Sequence, residues 1–245
     1  MNSSKQLLGF DRNITLNWLD ATLELAANGL PSSEIYHRLD AMLEGQVAGT
    51  TPNSARGKTK TVLMHIWVKV PAQIMKLRDR AIELSQTLDT DKRIVLHWGM
   101  CIATYPLFLD IALTTGRLMQ MQGEVSGNQI QRRIAEIWGE RSTLTIAVQR
   151  VLRSLVDWNI LLDSDQAKHY KSTPKLILKN QPQLELWLIE AFMAGSNLEM
   201  RSFKDLIATP ALFPFQISLS SNDFDNQLRL EFVRQGLGDE LVVMR

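Results

Sequence analysis

The chain has 245 residues, 45% hydrophobic and 22% charged, with 13 Gly and 8 Pro, the makeup of an ordinary globular protein rather than a fibrous or disordered one. Its 27 Lys and Arg stand against 26 Asp and Glu, so the overall balance points to no nucleic acid, membrane or acidic substrate. A single cysteine, Cys101, excludes a disulfide framework and a multi-cysteine zinc site, and the opening MNSSKQLLGFDRN lacks the apolar stretch of an export signal, so a cytoplasmic protein is expected.

From Ile14 to Asn28 apolar residues recur at helical spacing, and Gly29 supplies a left-handed stop. Leu30-Pro31-Ser32-Ser33-Glu34 predicts a turn with a serine cap, opening a second helix through Leu43 with Ile35, Leu39 and Leu43 on one face. Residues 48–54 form a small polar linker, and Thr51-Pro52 suits the start of a helix that runs through Val68. Val70-Pro71 predicts a break before a helix over 72–86, and Asp89 to Asp91 cap the next. The apolar run from Ile94 to Leu113 is long enough to cross a bilayer, yet it holds His97, Pro106 and Asp110. Two buried helices broken near Tyr105-Pro106 are therefore expected, with a membrane span as the minority reading.

The pattern then changes in an ordered way. Pro106 to Met121 predicts a helix, Gly123 to Gly127 a loop, Asn128 to Trp138 a helix, Gly139-Glu140-Arg141 a tight connection, and Ser142 to Trp158 a longer helix. An extended segment from Asn159, a polar loop over 164–173 and a return strand from Pro174 to Lys179 follow. That order is the order of a winged helix-turn-helix. Beyond Pro182 the sequence predicts a helix over 184–193, a short helix near 203–208, and strands over 213–219, 228–233 and 240–244, with Gly236 to Asp239 as the last turn. The expected fold is mainly α: a helical bundle over 1–122, a winged helix-turn-helix over 123–180, and a small α+β extension over 181–245 to which no chemistry is assigned.

Charge is unevenly placed. Residues 51–180 hold 19 basic and 11 acidic side chains, so an anion-binding surface is expected there. On a helix from Ser142, the apolar Leu144, Val148, Val151, Leu152 and Leu155 form one stripe, which turns Ser142, Thr143, Thr145, Gln149, Arg150 and Arg153 outward. Hydroxyls at the positive end of a helix, with Arg141 beside them, suit phosphates, while Gln149 and Arg150 suit base edges in a major groove. The preceding helix adds Gln131, Arg132 and Arg133, the wing adds Lys168, His169, Lys171 and Lys175, and Arg56, Lys58 and Lys60 form a further basic cluster. The bland alternative is that these are solvated or protein-docking faces, since exposed helix faces are often basic.

Enzymatic readings find little support. Gly57-Lys58-Thr59 ends like a phosphate loop, but the required earlier glycine is Pro52 and no strand precedes it. His37, His65, His97 and His169 lack metal-ligand spacing, Cys101 sits in an apolar helix, and Asp157, Asp163 and Asp165 suit caps and turns. The six tryptophans fall mostly in apolar stripes and are expected in the core. Neither a cofactor nor a metal is expected.

Several stretches carry a resemblance: Gly29-Leu30-Pro31-Ser32-Ser33-Glu34 in a helical hairpin, Leu77-Arg78-Asp79-Arg80, Ala103-Thr104-Tyr105-Pro106-Leu107-Phe108-Leu109, and Ser142-Thr143-Leu144 continuing through Arg150-Val151-Leu152 to Leu155–Leu162. In these the chain resembles the BrxA-like proteins of bacterial BREX phage-defence systems over residues 14–180. The resemblance implies a small, helical, non-catalytic DNA-binding subunit working beside other defence-system subunits. The expected partners are double-stranded DNA, bound with little sequence preference because the positive charges are spread over three segments, and other defence-system subunits, with no membrane and with a homo-oligomer left open. A protein-docking adaptor and a stand-alone transcription regulator are the alternatives.

Overall fold

The computed structural model describes residues 9–178, 181–225, 227–236 and 239–245. Lys179, which closes the expected return strand, Asn180 at the expected domain boundary, and Leu237-Gly238 of the expected last turn lie outside the described residues. The chain is mainly helical, with short strands.

The first three helices are α1 (Leu16–Ala27), α2 (Ser32–Leu43) and α3 (Ala55–Trp67). Ile35, Leu39 and Leu43 of α2 are buried, as their spacing of four predicts. α3 begins later than Thr51-Pro52: Ser54 caps it, its Oγ accepting from the Gly57 N–H at 3.2 Å. After Pro71 a single turn of 3-10 helix, Ala72–Ile74, leads into α4 (Met75–Ser85). A second such turn, Thr90–Lys92, leads into α5 (Ile94–Thr104), and α6 (Pro106–Gln122) opens with proline at its first position, where no N–H is missed.

The apolar run is thus two helices, bent by 116° at Tyr105. Among the described residues no single helix is long and apolar enough to cross a membrane. α5 is buried on nearly every side, and what covers it comes from far along the chain. α9 (Pro182–Gly195) lies against it, with Trp187 over Gly99 and Gly195 against the Ile102 carbonyl. Trp98 Nε1 donates to the Ala211 carbonyl at 3.0 Å, and Trp187 Nε1 to the Leu77 carbonyl at 3.0 Å. Gly116 of α6 meets the Pro210 carbonyl in a 3-10 turn, Pro210–Leu212. A helix that is apolar all round, as α9 is from Leu186 to Ile189, belongs inside. Residues 182–215 therefore share one core with the helices before residue 122.

Between these lies a compact succession: β1 (Glu124–Ser126), α7 (Gly127–Trp138), α8 (Ser142–Asp157), β2 (Leu161–Asp163) and β3 (His169–Ser172). The three strands form an antiparallel sheet in the order β1-β3-β2, with Val125 opposite Tyr170 and Leu162 opposite Lys171. Two expectations are corrected here. Residues 124–126 are a strand, not a loop, and the hairpin returns through His169–Ser172, not through 174–179. The turn closes earlier because Lys168 adopts a left-handed φ of 60° and the His169 N–H reaches the Gln166 carbonyl. Leu176–Ile177 instead forms β4, which pairs in parallel with β6 (Phe215–Gln216) after the Leu176 N–H bonds the Pro214 carbonyl. The final sheet runs β5 (Met200–Ser202), β8 (Asp239–Met244), β7 (Leu230–Gln235), and α10 (Phe203–Ile207) follows β5 directly.

One buried polar pair ties α1 to α5. His97 is fully buried; its Nε2 lies 2.9 Å from Asp20 Oδ1, Trp67 packs edge-on against its ring, and Arg93 reaches Asp20 at 4.0 Å. Burial holds His97 below its ordinary 6.5, with the hydrogen bond to Asp20 opposing the shift and the Arg93 charge adding to it. The unfolded chain therefore takes up this proton first on acidification. The contribution of neutral His97 is present above about pH 6.5 and is lost as the pH falls through its depressed value. The melting temperature is expected to fall from pH 7 to pH 5.5, and to fall less in His97→Gln; equal slopes would contradict this role for His97.

Candidate nucleic-acid interface

Local sequence fixes the position of α7 and α8. Ser126 and Gln129 form a capping box at the start of α7: Ser126 Oγ accepts from the Asn128 N–H at 3.2 Å, and Gln129 Oε1 accepts from the Ser126 N–H at 3.0 Å. α7 buries Ile130 and Ile134, and its last residue, Trp138, donates from Nε1 to Asp110 Oδ2 of α6 at 2.7 Å. Burial raises the Asp110 carboxyl, opposed by that hydrogen bond. Gly139, with φ of 78°, lets the chain reverse into α8.

α8 buries Leu144, Ala147, Val148, Val151, Leu152 and Leu155. Ser142, Thr143, Thr145, Gln149, Arg150 and Arg153 consequently face solvent. Between the two helices runs an open groove of about 500 Å³, with Leu144 and Val148 as floor and Asn128, Gln131, Arg132, Arg141, Ser142 and Thr145 as rim. The structure thus brings Gln131 and Arg132 of α7 together with Arg141, Ser142 and Thr145 at the start of α8, whereas Arg133 faces a separate groove against α6, beside Arg117, Glu136 and Ile137.

The cations differ in how much charge they offer. Arg153 lies 3.6 Å from Asp157 and 3.1 Å from Asp163, which ties α8 to β2 and balances its charge. Lys171 is 3.6 Å from Glu124, whose carboxyl is lowered first by the Ser164 hydroxyl at 2.7 Å and then by Lys171. Arg133 lies 3.9 Å from Glu136. Arg132, Arg141, Arg150 and Lys168 are exposed, and among the described residues no carboxylate lies within ion-pair distance of them. Lys175 is exposed but sits past the hairpin, in a groove with Asp91, Trp158 and Pro214.

The basic cluster on α3 is corrected. Arg56 and Lys60 are each 5% exposed and point into the protein. Arg56 Nε donates to the Gly49 carbonyl at 2.7 Å and lies 3.6 Å from Asp40 and 3.8 Å from Glu44. Lys60 donates to Asp40 and lies 3.9 Å from the centre of the Tyr36 ring. The hydrogen bond from Lys60 lowers the Asp40 carboxyl. Asp40 with Glu44 and Arg56 with Lys60 are two pairs at a spacing of four, on neighbouring helices, and that complementarity was the signal in the sequence. Only Lys58 of this cluster is exposed. Gly57 also offers no phosphate cradle, because the Thr51 and Pro52 carbonyls lie against it.

One feature of the interface escapes a reading by charge. Ile146, outside the buried stripe of α8, is 48% exposed. Elsewhere, Cys101 is buried and its thiol is pushed well up by desolvation, and among the described residues no three His, Cys, Asp or Glu side chains converge to hold a metal. Compared with known proteins, the chain matches no family model, no curated protein and no solved structure.

Proposed function

We propose that α6, β1, α7, α8, β2 and β3 form a winged helix-turn-helix in which α8 is the recognition helix and the β2–β3 hairpin is the wing. On this reading the chain is a non-enzymatic, duplex-DNA-binding subunit of a phage-defence or similar DNA-transacting assembly. The observation that carries it is the outward face of α8: hydroxyls at its positive end, Gln149 and Arg150 further along, and Arg132 and Arg141 beside them with no carboxylate within ion-pair distance among the described residues. The assembly half of the proposal is supported by the resemblance to BrxA-like proteins, carried by Ser142-Thr143-Leu144 and the following Leu155–Leu162 stretch. Buried Arg56 and Lys60 are left out of this interface, and Lys58 is the one residue of the α3 cluster that faces solvent. The test is binding of a random-sequence duplex at low salt, and absence of binding there overturns the proposal.

Three variants separate interface from scaffold. Arg150→Ala is expected to weaken duplex binding by about 1 to 3 kcal/mol, and Arg153→Ala by clearly less, because two carboxylates already balance Arg153. Both are exposed, so neither is expected to change stability by more than about 0.5 kcal/mol. Equal losses of affinity would contradict the charge assignment. Lys60→Ala is expected to do the reverse, costing about 1 kcal/mol of stability through lost packing and pairing while leaving affinity unchanged. Thermal melts beside anisotropy titrations read both quantities.

A further inference from the structure

The exposed surface of α8 carries one apolar side chain among polar ones. On helical geometry the neighbours of Ile146 one turn away are Ser142 and Thr143 before it and Gln149 and Arg150 after it, all of them exposed. The core stripe from Leu144 to Leu155 lies on the opposite side, so Ile146 stands outside the buried residues that hold α8 in place. A docking patch for a protein partner would need contiguous apolar area, and one isoleucine ringed by hydroxyls, an amide and a guanidinium does not supply it. It does match one feature of the major groove. Thymine alone among the four bases presents a methyl group there, and apolar side chains contact that methyl.

Resting on the DNA-binding reading above, we infer that Ile146 is a specificity-determining residue that seats against the 5-methyl group of a pyrimidine in the major groove, thymine in unmodified DNA. Gln149 and Arg150, one turn further along, have the amide and guanidinium that pair with the N6 and N7 edge of adenine and the O6 and N7 edge of guanine. The charge distribution alone predicts little sequence preference. Ile146 adds a preference for steps that carry the methyl.

The experiment replaces the methyl without changing the base pairs. Wild type and Ile146→Ala are titrated against an alternating adenine–thymine duplex of about two helical turns. The same titration is run with every thymine replaced by uracil, and with an alternating guanine–cytosine duplex whose cytosines are plain or 5-methylated. Wild type is expected to bind the thymine duplex about fourfold more tightly than the uracil one, the value of one buried methyl, and to gain similarly from 5-methylcytosine. Ile146→Ala is expected to bind all four with the loss confined to the methylated duplexes, and to melt at the wild-type temperature. Salt-dependent binding by wild type with no difference between thymine and uracil overturns this inference and leaves the DNA-binding reading standing. A thymine preference that persists in Ile146→Ala assigns the methyl contact elsewhere and also overturns it. No binding of any duplex at low salt overturns the DNA-binding reading first.

Discussion

Raising the salt from about 50 to 200 mM is expected to weaken duplex binding roughly a hundredfold. The magnitude follows from the number of cations the surface can bring to phosphates. With Arg150 assigned to base edges and Arg133 facing α6, Arg132, Arg141 and Lys168 remain, with no carboxylate within ion-pair distance among the described residues, together with Lys171, 3.6 Å from Glu124. About four phosphate contacts release about four counterions, and affinity then falls with between the third and fourth power of salt concentration. Arg153 is left out of that number because Asp157 and Asp163 already balance it. A slope corresponding to one or two contacts would mean that the α7, α8 and hairpin cations do not meet one duplex together.

Leu152→Ala is expected to cost about 2 to 5 kcal/mol, the range for deleting a fully buried leucine from a packed core. Leu152 is 1% exposed and lies on the stripe that holds α8 to the rest of the fold. In a chain of 245 residues this corresponds to a fall in melting temperature of roughly 4 to 20 °C. Duplex binding by the folded fraction is expected to stay within a few-fold of wild type, because the side chain faces away from the proposed contact surface. Arg150→Ala gives the opposite pattern, with affinity lost and melting kept. If Leu152→Ala melted like wild type, the assignment of the two faces of α8 would be reversed.

That assignment was legible in the sequence because the burial of α8 follows a simple period. Leu144, Val148, Val151, Leu152 and Leu155 leave no other face to bury, and the same logic reads α2 from Ile35, Leu39 and Leu43. The break at Tyr105-Pro106 was legible too, since proline marks the first turn of α6. Less regular features were hidden for physical reasons. β3 consists of His169, Tyr170, Lys171 and Ser172, a polar stretch whose strand character comes from pairing on both sides with β1 and β2. β1 is three residues long, too short to show alternation. Leu176-Ile177 has the composition of a return strand, yet its partner lies near residue 215. Arg56 and Lys60 read as a basic surface because burial of a cation depends on its partner, and Asp40 sits on another helix. The burial of α9 was likewise a tertiary fact: its apolar residues are plain in the sequence, but nothing local says that α5 is what they cover.

The most direct measurement of the proposed interface is a map of backbone amide chemical shifts as a random-sequence duplex is added at low salt. The expected result is perturbation concentrated in residues 128–133, 141–150 and 164–171, with residues 36–60, where Arg56 and Lys60 are held by Asp40, unmoved. Shifts centred on α2 and α3, or a spectrum unchanged by the duplex, would contradict the assignment of the α8 face to DNA.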